Sequence, residues 1–110
     1  MKTPEGKIKD KVKALLAKHG CYRFMPVQMG FGERSLDFLV CHYGRFIAVE
    51  TKRHGKELTA IQQEVKRRIE DAGGSVFRVS DDMELLDLEA ALRNIEHKFT
   101  RALLPPKEFV

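Results

Sequence analysis

Apolar residues recur at helical spacing near the start of the chain, at Ile8, Val12, Leu15 and Leu16. Thr3 suits the N-cap of that helix, Pro4 its first position, and Gly20 its end. Residues 21–28 turn extended, and Pro26 marks them as an edge or irregular strand. Residues 30–34, rich in glycine, read as a loop. Residues 36–42 and 45–51 read as two strands joined by a tight turn at Tyr43 and Gly44. After a polar loop, Thr59 is placed to cap a second helix with Ile61, Val65, Ile69 and Ala72 on one face. Gly73 and Gly74 follow that helix, and residues 75–79 form a short strand. A third helix is predicted from residue 82 to about 98, with Leu85, Leu88, Leu92 and Ile95 as its inner stripe. Pro105 and Pro106 break the tail.

The predicted order is α-β-β-β-α-β-α. Passing from one strand through a helix to the next strand predicts a parallel crossover, hence an α/β fold with a mixed sheet flanked by helices. With 110 residues, 43% apolar and 33% charged, the chain is expected to form one domain. Its core falls at residues 4–80, and the C-terminal helix and tail at 81–110. No apolar stretch approaches the roughly 20 residues that cross a bilayer. The N-terminus lacks an apolar signal core, and Cys21 and Cys41 are too few for a disulfide framework, so the expected compartment is the cytoplasm.

The segment FIAVETK, residues 46–52, raises a chemical question. An apolar strand buried on both faces ends in Glu50 and Lys52, which share one face about 7 Å apart. A charge there needs a partner, an ion or solvent. Strand ends are also where α/β sheets place ligands. Counting outward from the hairpin turn sets Asp37 near Glu50. Two adjacent carboxylates repel unless they share a proton or a cation, and oxygen-only donors suit Mg²⁺ or Mn²⁺. Lys52 is then positioned to orient an attacking water or offset negative charge, in outline a phosphodiester hydrolysis site. Glu-x-Lys alone carries little weight, because it also occurs at Glu5, Glu64 and Glu96, each on a predicted helix. The competing reading is a surface hairpin with ordinary cross-strand ion pairs.

The wider arrangement resembles the VRR-NUC domain of the PD-(D/E)xK, restriction-endonuclease-like superfamily, over about residues 4–79. The resemblance rests on the helix with Glu5, the strand with Asp37, and the stretches GRFIAVETK, GKELTAIQQ and AGGSVFRVSD. It implies an αβββαβ core and metal-dependent DNA cleavage. Asp37 and Glu50 would be metal ligands, the Thr51 main-chain carbonyl a further ligand, and Lys52 the catalytic lysine. Glu5 matches an acidic residue that assists the site, and Gln62 the family's glutamine, leaving Gln63 a spare role. The family's Gly-x-Pro-Asp differs here, with Gly32 five residues before Asp37 and Leu36 in place of proline. Stand-alone viral and bacterial members imply a homodimer acting on four-way junctions or flaps, in a bacterial or phage-infected host cell. A non-catalytic nucleic-acid-binding protein with a decayed nuclease fold is the alternative, and intact Asp37, Glu50 and Lys52 argue against decay.

The net charge is +4, unevenly spread. Residues 1–20 carry six lysines, and residues 81–89 carry five acids and no base, compatible with one face meeting a polyanion. Arg53, His54 and Lys56, just past the Glu50 strand, are expected to contact the DNA backbone, with Lys66 extending that surface. Lysines 7, 9, 11, 13 and 18 are explained adequately as a solvated helix face. His19, Cys21, Cys41 and His42 lack any paired CxxC or HxxxH spacing, so zinc is not expected there.

Overall fold

The computed structural model describes residues 2–27 and 34–103. Residues 30–33 of the predicted loop and the break at Pro105 and Pro106 lie outside those residues. Thr3 caps α1 (Pro4–Lys18), its hydroxyl accepting from the Gly6 amide at 3.0 Å. There follow β1 (Tyr22–Phe24), β2 (Phe38–His42), β3 (Arg45–Thr51), α2 (Ala60–Asp71), β4 (Ser75–Val79) and α3 (Asp82–Leu103). The sheet runs β1-β2-β3-β4, antiparallel across the first two pairings and parallel between β3 and β4. This is the mixed α/β order that the sequence predicts. β1 is shorter than expected, three residues at the sheet edge. Pro26 has no amide with which to prolong it.

The hairpin fixes the register. His42 pairs with Arg45 across a two-residue loop, with φ of 49° at Tyr43 and 79° at Gly44. That pair of positive φ values matches the right-handed twist of the strands. Phe38 consequently faces Val49, which carries Asp37 to the level of Glu50. Gly44→Ala is expected to cost about 1–2 kcal/mol, because left-handed backbone is disfavoured by a Cβ. A Cβ at Gly44 meets nothing within 4 Å, so steric crowding contributes none of this. A urea midpoint equal to that of the parent protein would refute the prediction.

Val12 and Leu16 of α1 and Leu88 and Leu92 of α3 pack with Phe38, Val40, Ile47, Val49 and Val79 of the sheet. Each such side chain contributes about 1.5–3 kcal/mol when fully buried. The helix pair therefore covers one face of the sheet. The other face is different. No residue of α2 is buried, and Ile61 and Phe46 are 53% and 45% exposed. This corrects the expectation that β3 is covered on both faces from its start, since burial begins at Ile47. The helical stripe marks which side of α2 is apolar, but the helix stands partly off the sheet and leaves grooves beside Phe46 and Val65.

α3 runs past the expected end near residue 98 to Leu103. Phe99 packs on Tyr43 of the hairpin turn, with ring centroids 4.6 Å apart. The acidic stretch at the start of α3 is not a separate face. Lys11 pairs with Asp82 at 2.8 Å and Lys18 with Glu89 at 3.0 Å, so the basic and acidic ends of the sequence partly neutralise each other. Hydrogen bonds from His19 and Lys18 hold the Glu89 carboxyl down at about 2. No helix of the described residues is long and apolar enough to cross a membrane.

Candidate active site

The C-terminal end of β3 and the residue just before β2 meet in the middle of the sheet. There the Asp37 main-chain N–H donates to Glu50 Oε1 at 3.0 Å. Thr51 donates twice to Asp37 Oδ2, from its amide at 3.0 Å and from its hydroxyl at 2.6 Å. Each carboxylate is thus held by the backbone of the neighbouring strand, which fixes its aim before any ligand arrives. Burial, and then the charge of Asp37, push the Glu50 carboxyl up to about 7. The Asp37 amide and Lys52 act against that rise, and Glu5 adds slightly to it.

Lys52 continues the ladder beyond β3, its amide donating to the Val79 carbonyl at 3.0 Å. Its side chain is only 8% exposed, and Nζ lies 3.9 Å from Glu50 Oε2. The ammonium is close enough to offset part of the Glu50 charge.

Gln62 completes the wall from α2. Thr59 caps this helix, its hydroxyl accepting from the Gln62 amide at 3.2 Å, while Gln62 Oε1 accepts from the Thr59 amide at 2.9 Å. The remaining amide nitrogen, Nε2, donates to Glu50 Oε2 at 2.7 Å. Gln63 turns away and donates to the Leu58 carbonyl, consistent with its spare role.

Asp37, Glu50, Lys52 and Gln62 therefore meet where β2 begins, β3 ends and α2 starts, and Glu5 of α1 adds its charge to Glu50. Two contributions escaped the sequence reading. Lys9 Nζ lies 3.7 Å from Asp37 Oδ1, and the Thr51 hydroxyl orients the other oxygen of the same carboxylate. Lys9 lies four residues after Glu5, on the same helical face, and that spacing was the available signal.

Arg53, His54 and Lys56 are exposed in the turn after Lys52, with His54 Nδ1 3.7 Å from Asp81 Oδ2. Lys66 pairs with Glu70 at 3.3 Å on α2 and is not drawn into the carboxylate cluster. A cleft of about 380 Å³ opens at Asp37 and Glu50, lined also by Arg34, Ser35, Thr59, Ile61, Gln62 and Val65. Two grooves of about 450 Å³ beside Phe46 are larger but contain no carboxylate.

The donor set fits a hard divalent cation. It offers carboxylate oxygens from Asp37 and Glu50 on adjacent strands, and a cation between them would offset the charge of Asp37 that, after burial, raises Glu50.

No family model matches the chain, and no curated protein matches it. Among solved structures, a chain titled "VRR_NUC domain" superposes with a TM-score of 0.63 at 19% identity. The match covers 94% of this chain and 100% of that one.

Proposed function

We propose that this chain, which has the fold of a VRR-NUC domain, is a divalent-metal-dependent endonuclease that hydrolyses phosphodiester bonds in branched DNA. The observation that carries the reading is the backbone-fixed pair Asp37 and Glu50, with Lys52 and Gln62 against the same Glu50 oxygen. Asp37, Glu50 and the Thr51 main-chain carbonyl would hold Mg²⁺ or Mn²⁺. A bound divalent ion supplies a more acidic water and charge relief on the phosphate. The Lys52 ammonium would orient an attacking water and offset the charge that develops on the phosphoryl oxygens. Gln62 fixes the carboxylate that Lys52 faces, and Glu5 raises the negative potential that attracts a cation. Arg53, His54, Lys56 and Lys66 contact the DNA backbone, and Arg34 lines the cleft beside the carboxylates. The expected products carry 5′-phosphate and 3′-hydroxyl ends. A homodimer suits paired nicks in a symmetric junction. The exposed sheet edge at β1, with Tyr22 and Phe24 on its surface, offers a contact for a second copy.

The test is cleavage of labelled linear duplex, flap, splayed-arm and four-way-junction DNA with Mg²⁺, Mn²⁺ or EDTA. Metal-dependent cutting of a branched substrate is expected, and no cutting of any substrate would sink the proposal. Lys52→Ala is expected to slow cleavage by about 100- to 1000-fold. It should retain junction binding in a gel-shift assay.

A further inference from the structure

A second group of ligating side chains lies at the other end of β2. Asp37 precedes this strand and His42 ends it, roughly 16 Å away at the rise of a β-strand. His42 Nε2 and His19 Nδ1 each lie 2.7 Å from one atom, Glu96 Oε2. These three residues offer ligand atoms that all lie within 4.8 Å of one another. They come from the C-cap of α1, the end of β2 and the body of α3.

Each ring is also held from behind. His19 Nε2 meets Glu89 Oε2 at 2.9 Å, and His42 Nδ1 meets Cys21 Sγ at 3.3 Å. Metal-binding histidines are oriented in this way, one nitrogen facing the ion and the other fixed by an outer partner. The His19 and His42 side chains are 8% and 2% exposed, whereas Glu96 is 30% exposed. The imidazoles thus form a dry floor, with the carboxylate on the side open to solvent. Tyr43 packs edge-on against the His42 ring, with centroids 4.7 Å apart.

We infer that His19, His42 and Glu96 form a binding site for a divalent transition ion of the zinc class, separate from the carboxylate pair. Two imidazole nitrogens and one carboxylate oxygen suit zinc better than Mg²⁺ or Mn²⁺. Three protein ligands leave a fourth tetrahedral position for water. The present 2.7 Å separations are those of hydrogen bonds. Tetrahedral bonds of 2.0–2.1 Å place ligand atoms about 3.3 Å apart, so loading lengthens each His–Glu96 contact by roughly 0.6 Å. Any proton on a ring nitrogen that binds the ion would pass to solvent. Glu89 and Cys21 keep their places behind the rings, and the ion ties α1, β2 and α3 together.

Chelator-stripped full-length protein is titrated with Zn²⁺ by calorimetry in the Asp37→Asn background, which weakens the other cation site. One Zn²⁺ per chain is expected. Glu96→Gln and, separately, His42→Asn should weaken binding by at least about tenfold. Glu96 is partly exposed, so its variant reports even if His42→Asn fails to fold. Zn²⁺ should raise the melting temperature of the parent protein but not of Glu96→Gln. Absence of stoichiometric binding, or unchanged affinity in Glu96→Gln, would overturn the site. With Co²⁺ as probe, the visible bands of a tetrahedral ion are expected. A thiolate-to-cobalt charge-transfer band would instead make Cys21 a ligand and overturn the assigned set.

Discussion

Asp37→Asn is expected to lower metal-dependent cleavage by about 1000-fold, at the upper end of what one preorganised electrostatic group contributes. The fold should remain at least as stable as that of the parent. An asparagine carbonyl can still accept both bonds from Thr51, its amide at 3.0 Å and its hydroxyl at 2.6 Å. The variant gives up the Lys9 contact at 3.7 Å, a partly exposed pair of small value. In exchange it removes the carboxylate charge that, after burial, does most to raise Glu50. Structure is thus preserved while the ligand charge is lost. Mg²⁺ titration calorimetry, thermal melting and single-turnover cleavage read the three consequences separately. Unchanged metal affinity would remove Asp37 from the ligand set even if activity fell.

The second large effect is a pH dependence with an unusual sign for an acidic group. The folded-state value for Glu50 is about 7, against an ordinary 4.5, so the folded chain binds this proton more tightly than the unfolded chain does. The stability linked to it is fully present below 4.5 and is lost as pH rises to about 7. The full swing is on the order of 3 kcal/mol. In metal-free buffer, Glu50→Gln should therefore gain stability over the parent between pH 5 and pH 8. The glutamine amide would face Gln62 Nε2, a mismatch of two donors, but that cost does not depend on pH. It cancels in the difference between the two pH values. Saturating Mg²⁺ should abolish the trend in the parent, because the ion takes the place of the proton. A gain that is equal at pH 5 and pH 8 would mean that Glu50 is not the group responsible.

The hairpin was legible from sequence because its turn chemistry is local. Tyr43 and Gly44 set a two-residue loop, and counting from it reached the contact between Asp37 and Glu50. The capping of α2 was legible for the same reason, since Thr59 and Gln62 lie within one helical turn. Depth was harder to read. Periodicity identifies the apolar side of α2 but contains nothing about how closely the helix approaches the sheet, and Ile61 stayed half exposed. Contacts between distant segments were harder still. Lys11 and Lys18 found partners 71 residues away, and such pairings follow from how α1 lies on α3. His19, Cys21, Cys41 and His42 lack the close pairing that marks a zinc site in a sequence, and the carboxylate that joins the two histidines, Glu96, lies 77 and 54 residues further along. Of the two cysteines in that set, Cys21 is buried and Cys41 is exposed.

Gln62 serves two masters with one amide group. Its oxygen closes the cap of α2 and its nitrogen holds Glu50, so both ends of the side chain are spoken for. Glutamate, equally good in a capping box, would set a carboxylate against Glu50. Alanine would release both partners. Shorter asparagine lacks the reach to span them. The range of residues tolerated at this position is therefore narrower than either the helix or the site would demand alone. A substitution there shifts where α2 begins and where the site carboxylate points in a single step.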